Sequence, residues 1–294
     1  MTRASRKRSN GVAAALFIAP SFIPLLAFFV LPMIAAAVLS FTSWDLLSPP
    51  HWIGFANFKQ LIHDKEFLHS LINTLIFIAG YLPIVYVLGL SAALALNRKF
   101  KGSGALRAMY FLPVITSWVI VALLWKWILN PSGGLVNSAL HVIGIQGPGW
   151  WTSKSWSMVS VIIPSAWKDL GYVMLLLLAG LQAIPPEYQE AAAIDGASKR
   201  QILFRITLPL LTPATFFVLV ISLINNFQVF DQIWVMTAGG PEGSTNVVVG
   251  EIVKNSFNYG HMGYASALSM VLFLIIMVVT VVQVRLQKRW VNYE

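Results

Sequence analysis

The hydrophobic positions of this chain fall into six long runs separated by shorter polar segments. The runs cover about Val12 to Phe41, Ser70 to Leu96, Leu106 to Leu129, Ser157 to Ile184, Leu210 to Met236 and Tyr264 to Val284. Each reaches the roughly 20 apolar residues that a helix needs to cross a bilayer, and each is too long to be a strand. The pattern predicts an all-α polytopic membrane protein with six transmembrane helices. Pro20, Pro24 and Pro32 predict that the first helix is bent or begins late. Its apolar run is about twice the length of a signal-peptide core, which makes it a retained span.

Composition supports this reading. Of 294 residues, 57% are hydrophobic and 11% are charged, against roughly 25% charged in soluble domains. That excludes an ordinary soluble enzyme, a disordered chain and a fibrous repeat. Cysteine is absent, so disulfides, thiolate metal sites and cysteine nucleophiles are excluded as well.

The formal charge of +9 sets a topology rather than a nucleic-acid site. With the N-terminus inside, the inner segments hold Arg3, Arg6, Lys7, Arg8, Arg98, Lys99, Lys101, Arg107, Lys199, Arg200, Arg205, Arg285, Lys288 and Arg289, or 14 of the 20 basic residues. The outer segments hold only Lys59, Lys65, Lys154 and Lys254. This asymmetry places both termini in the cytoplasm. The expected organisation is a basic tail at 1–11, a first span with an outer cap at 12–69, a core of five spans at 70–288 and a tail at 289–294.

Polar residues inside the runs are the candidate chemistry, because buried ionisable groups are costly in lipid. The fifth run contains Asn225, Asn226, Gln228, Asp231 and Gln232. Read as one helix, Asn225, Gln228 and Gln232 share a face. Asn225 then lies about 22 Å in from Leu210, past the bilayer middle. Amides beside Phe227 and Phe230 suit a neutral sugar, whose hydroxyls bond to amides and whose ring stacks on aromatics. Hydrogen bonding between helices explains the same amides equally.

The fourth run carries Trp167, Lys168, Asp169 and Tyr172. Adjacent Lys168 and Asp169 diverge on a helix, so each needs its own partner or a watery cavity. Tyr81, Pro83 and Tyr86 read as core packing around a kink. Lys126, between two tryptophans, reads as snorkelling to the outer interface. His63, Asp64, Glu66 and His69 lack metal-ligand spacing and read as a solvated loop.

The inner loop between the fourth and fifth runs is more than a connector. Pro185 and Pro186 end the fourth span. Glu187 and Glu190 suit the positive end of a new short helix. Gly196 can end that helix, and Ser198 can cap a second one running to Arg205, before Pro209.

Here the chain resembles a family. Glu190-Ala191-Ala192, Gly196, Ile206 and Leu208-Pro209 reproduce the signature loop of permease subunits of binding-protein-dependent ABC importers. Phe230-Asp231-Gln232, Thr237 to Pro241, Ser244-Thr245 and Gly263 to Ala267 resemble the maltose and glycerol-phosphate type of sugar permease. The resemblance implies a type I importer permease fold in a bacterial or archaeal plasma membrane, the inner membrane where there are two. It implies a second permease subunit, two cytoplasmic ATPases that hold ATP and Mg, and an extracytoplasmic binding protein. Glu187, Glu190, Ala191, Ala192, Asp195, Gly196 and Ala197 would be the segment that docks on the ATPase. Candidate pathway residues are Asn225, Gln228, Asp231, Gln232, Trp167, Lys168, Asp169 and Tyr172.

The chain has no G-x-x-x-x-G-K-[ST] sequence, so it cannot cradle ATP by that device. No cofactor, catalytic constellation or metal set of its own is expected. The competing expectation is an ion-coupled secondary sugar transporter, which would work without an ATPase.

Overall fold

The computed structural model describes residues 17–98 and 100–291. The expected basic tail at 1–11 with Arg3, Arg6, Lys7 and Arg8, the first-span residues before Phe17, Lys99 and positions 292–294 lie outside the described residues. The rest is helical apart from loops and one two-stranded hairpin.

Two compact units can be separated, residues 1–64 with 252–271 and residues 65–251 with 272–294. In the first unit, helix α1 (Phe17–Leu39) holds a π-helical turn at Leu26–Val30, between Pro24 and Pro32. The extra residue in such a turn relieves the ladder that proline interrupts. A short hairpin of β1 (Thr42–Ser43) and β2 (His51–Trp52) follows, then helix α2 (Ala56–His63). Phe41 gathers Trp52, Phe55 and Phe58, with ring centroids 5.2 to 5.5 Å away. The buried Asn57 amide donates to the carbonyls of Ser40 and Thr42, at 2.8 and 2.9 Å. Tyr264 donates its hydroxyl to Asp64, and the Met262 amide reaches the Trp44 carbonyl at 2.9 Å.

The second unit is built on two long helices, α3 (Lys65–Leu96) and α7 (Lys154–Ala183). They bury Phe77, Tyr81, Val85, Val161, Met174 and Leu177. Around them stand α4 (Ser103–Ile115), α5 (Trp118–Ile128), α6 (Leu135–Val142), α8 (Glu187–Ile194), α9 (Lys199–Leu210), α10 (Thr212–Phe227) and α11 (Asp231–Thr237). Helix α12 (Val248–Val253) begins in this unit, the π turn at Lys254–Asn258 belongs to the first, and α13 (Met262–Gln287) is divided between the two at Val271. Gly171 allows α4 to approach α7 closely, since a Cβ there would strike the Tyr110 carbonyl. Small residues at close helix contacts are typical of packing in membranes.

Among the described residues, four helices are individually long and apolar enough to cross a membrane: α1, α3, α7 and α13. The third and fifth expected spans are not continuous. The third is a pair, α4 and α5, bent by 99° at Thr116–Ser117. Pro113 lies just before this break, and the Ser117 side chain caps α5 by accepting from the Val119 amide at 3.3 Å. In the fifth, α9 and α10 meet at a 60° bend at Leu211. Then α10 stops at Phe227 and α11 starts afresh at Asp231. Pro209 does not stop α9, because a π turn at Leu203–Thr207 precedes it and the helix continues to Leu210.

Candidate functional site

The break between α10 and α11 opens a polar cavity of about 320 Å³. Its lining comes from Tyr81 on α3, Trp118 on α5, Asp169, Tyr172 and Val173 on α7, and Ser222, Asn225, Asn226 and Gln228 to Gln232 around the break. Asn225, Gln228 and Asp231 are exposed towards solvent, while Asn226 and Gln232 are buried. The Asn226 amide donates back to the Ser222 carbonyl at 2.6 Å. Such back-bonding competes with the helical ladder. The non-helical residues 228–230 between the two helices line the cavity.

This corrects the reading of one continuous helical face. Gln228 is the C-cap of α10, with φ −102°, and Gln232 belongs to the next helix. Both still line the cavity, brought there by the break.

Asp169 receives the Tyr81 hydroxyl at 2.8 Å, a bond between α7 and α3. Tyr81 also stacks on Phe77 at 5.7 Å, so core packing describes its ring and not its hydroxyl. Tyr81, Trp118, Val173, Ser222, Asn226, Val229 and Phe230 complete the lining, and none of them is among the candidate pathway residues. The signal available in the sequence was the presence of Asn226 and Phe230 among the amides. Nothing local pointed to Trp118.

Lys168 takes a different path from Asp169. Its side chain is buried, and its ammonium donates to the Val114 carbonyl at 2.9 Å. It lies 4.6 Å from the centroid of Trp118. A cation is favoured at a helix C-terminus, and Val114 is in the last turn of α4. Lys168 therefore holds the bend between α4 and α5 and does not line the cavity. Trp167 also stays out of the cavity. It packs edge-on to Trp125 at 5.8 Å, beside an apolar cleft formed with Leu106, Met109, Tyr110, Pro113 and Leu170.

Lys126 is likewise more engaged than simple snorkelling requires. Its ammonium donates to the Val235 carbonyl at 3.3 Å and faces the Trp151 ring at 5.1 Å. Among the described residues, no three histidine, aspartate or glutamate side chains lie close enough to hold a metal ion.

The loop after α11 is pinned to α3 and α7. Asn73 donates to the carbonyls of Gly243 and Asn246, both at 2.9 Å. Ser157 and Ser244 share a hydroxyl bond at 2.8 Å, and Lys154 pairs with Glu242 at 2.9 Å. That lysine holds the exposed Glu242 carboxyl below its usual range.

A second feature is the segment from Pro185 to Leu210. Ile184, before Pro185, is extended, as a residue preceding proline prefers. Helix α8 follows with Glu187 and Glu190 in its first turn. Gly196 has φ +83°. The Ala197 amide reaches the Ala192 carbonyl at 2.9 Å, and the Gly196 amide reaches Ala193 at 3.1 Å. This pair of bonds is a Schellman closure, which needs a left-handed residue. Ser198 then caps α9 with a reciprocal capping box to Gln201.

Glu187, Glu190, Ala191, Asp195 and Gly196 are exposed, and Ala192 and Ala197 are half-buried. Ile194 is 87% exposed and Tyr188 is 53% exposed. The structure thus presents a short rigid helix with small and apolar residues uncovered.

With these features in view, the comparisons identify the class. A family model described as "Binding-protein-dependent transport system inner membrane component" matches residues 85–292. The chain is 36% identical to the probable ABC transporter permease protein YesP of Bacillus subtilis, over 100% of this chain and 96% of that protein. It is 35% identical to the trehalose/maltose transport system permease protein MalF of Thermococcus litoralis, over 92% of each. A chain of a bacterial ABC transporter involved in the import of the acidic polysaccharide alginate superposes with a TM-score of 0.86, at 27% identity, over 99% of this chain and 100% of that one. The chain belongs to the inner-membrane permease family of binding-protein-dependent ABC importers.

Proposed function

We propose that this chain forms half of the translocation pathway of an ATP-driven importer for a neutral sugar, in the size range of a disaccharide or short oligosaccharide. The observation that carries the proposal is the cavity at the α10–α11 break. It combines the amides of Asn225, Gln228 and Gln232 with the rings of Trp118, Tyr172 and Phe230, and among the described residues its lining holds no cation. Amides match sugar hydroxyls and aromatic faces match sugar rings. A volume near 320 Å³ suits a small-molecule site. The names of relatives for trehalose/maltose and multiple-sugar transport agree with a carbohydrate cargo.

In this reading the bent pairs α4–α5 and α9–α10 each act as one crossing, which makes six with α1, α3, α7 and α13. Both termini are cytoplasmic, in line with the basic residues. Residues 12–69 form the first span and outer cap, and residues 70–288 form the core. Helix α8, with Glu187, Glu190, Ala191, Ala192, Asp195, Gly196 and Ala197, docks on a cytoplasmic ATPase that binds ATP and Mg. Two such ATPases, a second permease in a heterodimer and an extracytoplasmic binding protein complete the assembly. A solved alginate transporter carries a pentasaccharide-bound periplasmic protein, a precedent for such delivery.

The test is sugar uptake into proteoliposomes holding the full complex with ATP inside. Uptake should require ATP and the binding protein, and it should survive an uncoupler. Uptake by this chain alone, abolished by the uncoupler, would overturn the proposal.

A further inference from the structure

Buried side-chain amides that hold this fold are bonded to backbone carbonyls. Asn57 donates to Ser40 and Thr42, Asn73 to Gly243 and Asn246, and Asn226 to Ser222. Gln232 differs from them. It is only 6% exposed and lines the polar cavity, yet its amide has no hydrogen-bond partner among the described residues.

The amide is not sealed inside protein. The indole nitrogens of Trp125 and Trp151 are enclosed without a partner, but the polar atoms of Gln232 are not enclosed in that way. Their remaining exposure is to the cavity that the residue lines. Helix α11 packs on α5 and α7, with its Ile233 and Met236 buried, so Gln232 is held by its surroundings with its amide open to the cavity.

Hydrogen bonding between helices would explain a buried amide, but Gln232 makes no such bond among the described residues. A ligand explains it better. Asn225 and Gln228 are exposed, so water replaces a missing cargo group there at little cost. Gln232 has little access to water once cargo fills the cavity. Leaving its amide unpaired then costs the desolvation of a donor and an acceptor together. A cargo with the matching groups avoids that cost and a cargo without them does not, which is how a buried polar side chain discriminates. The oxygen and nitrogen of an amide lie side by side, so they suit two adjacent hydroxyls, one donating and one accepting.

We propose that Gln232 is the specificity-determining residue of this cavity and that it selects a cargo presenting two neighbouring hydroxyls. The inference rests on the sugar-transport reading and narrows it from neutral sugars in general to those with this diol edge free.

The test compares Gln232→Met with Gln228→Met in the full complex. Methionine keeps the length of glutamine and removes both hydrogen-bonding groups. Maltose and trehalose are the probes, with binding read by saturation-transfer NMR and thermal unfolding read without sugar. Gln232→Met should weaken binding by about ten-fold or more. Its melting temperature should be unchanged or higher, because no bond of the fold is lost. Gln228→Met should weaken binding by less than about three-fold, since water serves an exposed amide. Among monodeoxy analogues of the bound sugar, those lacking a hydroxyl of the pair should bind about ten-fold more weakly to the unaltered complex and lose nothing further in Gln232→Met. A lower melting temperature in Gln232→Met would assign the amide to the fold and overturn the proposal, and the melting comparison decides this without any sugar. Equal binding losses in the two variants, or none in either, would overturn it as well. Failure of the transport reading looks different, because the unaltered complex would then take up no sugar with ATP and the binding protein present.

Discussion

The Tyr81 hydroxyl donates to the Asp169 carboxyl at 2.8 Å, joining residues 88 positions apart on α3 and α7. Both line the polar cavity. The bond fixes which way a cavity carboxyl points, and it ties that orientation to the packing of the two longest helices of the second unit. Tyr81→Phe should keep the stacking on Phe77 and lose only the hydroxyl. The expected cost is about 1 to 3 kcal/mol, the range for a bond to an ionisable group left unpaired. Thermal unfolding of the purified chain should show the loss, and uptake should fall while complex assembly stays intact. An unchanged melting temperature together with unchanged uptake would remove the pair from both roles.

Lys168 should matter for stability rather than for cargo. Its ammonium bonds to the Val114 carbonyl and faces Trp118, so it braces the bend between α4 and α5. Lys168→Met keeps the length of the side chain and removes the charge. It should lower stability by about 1 to 3 kcal/mol, with the apparent affinity for sugar unchanged. A change in sugar affinity without a loss of stability would place the ammonium in the pathway after all.

The contrast between these neighbours shows what was legible in the sequence and what was not. The turn at Gly196 could be read because every part of it is local: Pro186 before α8, Gly196 after it and Ser198 capping α9. The break after Phe227 could not be read by the same rules, since no glycine or proline lies between Pro213 and Gly239. At that break the Asn226 amide bonds back to the Ser222 carbonyl, and the facing walls come from α3, α5 and α7. Lys168 and Asp169 were visible as costly residues, but their partners lie 54 and 88 positions away. Sequence spacing therefore brought them to notice without separating a brace from a cavity wall.

Gly196 gives a graded test of the proposed docking segment. No atom lies within 4 Å of an added Cβ there, so a side chain would meet only the penalty of φ +83°. Asparagine tolerates the left-handed region and a β-branched residue does not. Gly196→Asn should retain most ATPase co-purification and uptake. Gly196→Val should lose both, with a backbone cost of about 1 to 2 kcal/mol. Equal behaviour of the two variants would mean that the turn geometry is not what the ATPase reads.

Asp45 offers a test of the hairpin loop by pH. The Ser48 amide and hydroxyl and the Leu47 amide all donate to one of its oxygens, at 2.7 to 3.1 Å. They lower its carboxyl from 3.8 to about 2. Because the folded value is depressed, the contribution to loop stability is present above pH 3.8 and is lost as pH falls through about 2. Carbon-detected NMR titration should find Asp45 near that value. Ser48→Ala should shift it back towards the ordinary range, since it removes the hydroxyl donor. A normal titration in the unaltered chain would mean that the loop is not closed in solution.

Charge selection in the pathway follows from the same cavity. Among the described residues, Asp169 and Asp231 are the charged residues of its lining, and the ammonium of Lys168, next to Asp169 in sequence, donates to Val114. A uronate or a sugar phosphate would bring its negative charge towards these carboxyls, with no cation among the described lining residues. Like charges in a site of low dielectric repel more strongly than they do in water. The similar transporter chain belongs to one involved in the import of the acidic polysaccharide alginate, so the proposed neutral cargo rests on the lining of this cavity and not on the fold. In proteoliposomes of the full complex, uptake of the neutral sugar should be little affected by an excess of trigalacturonate. Asp231→Lys should make the acidic trisaccharide an inhibitor, and Asp169→Asn should do so more weakly, because the amide removes a charge without adding one. Inhibition of the unaltered complex by trigalacturonate at concentrations similar to the neutral sugar would show that the two carboxyls do not set the selectivity.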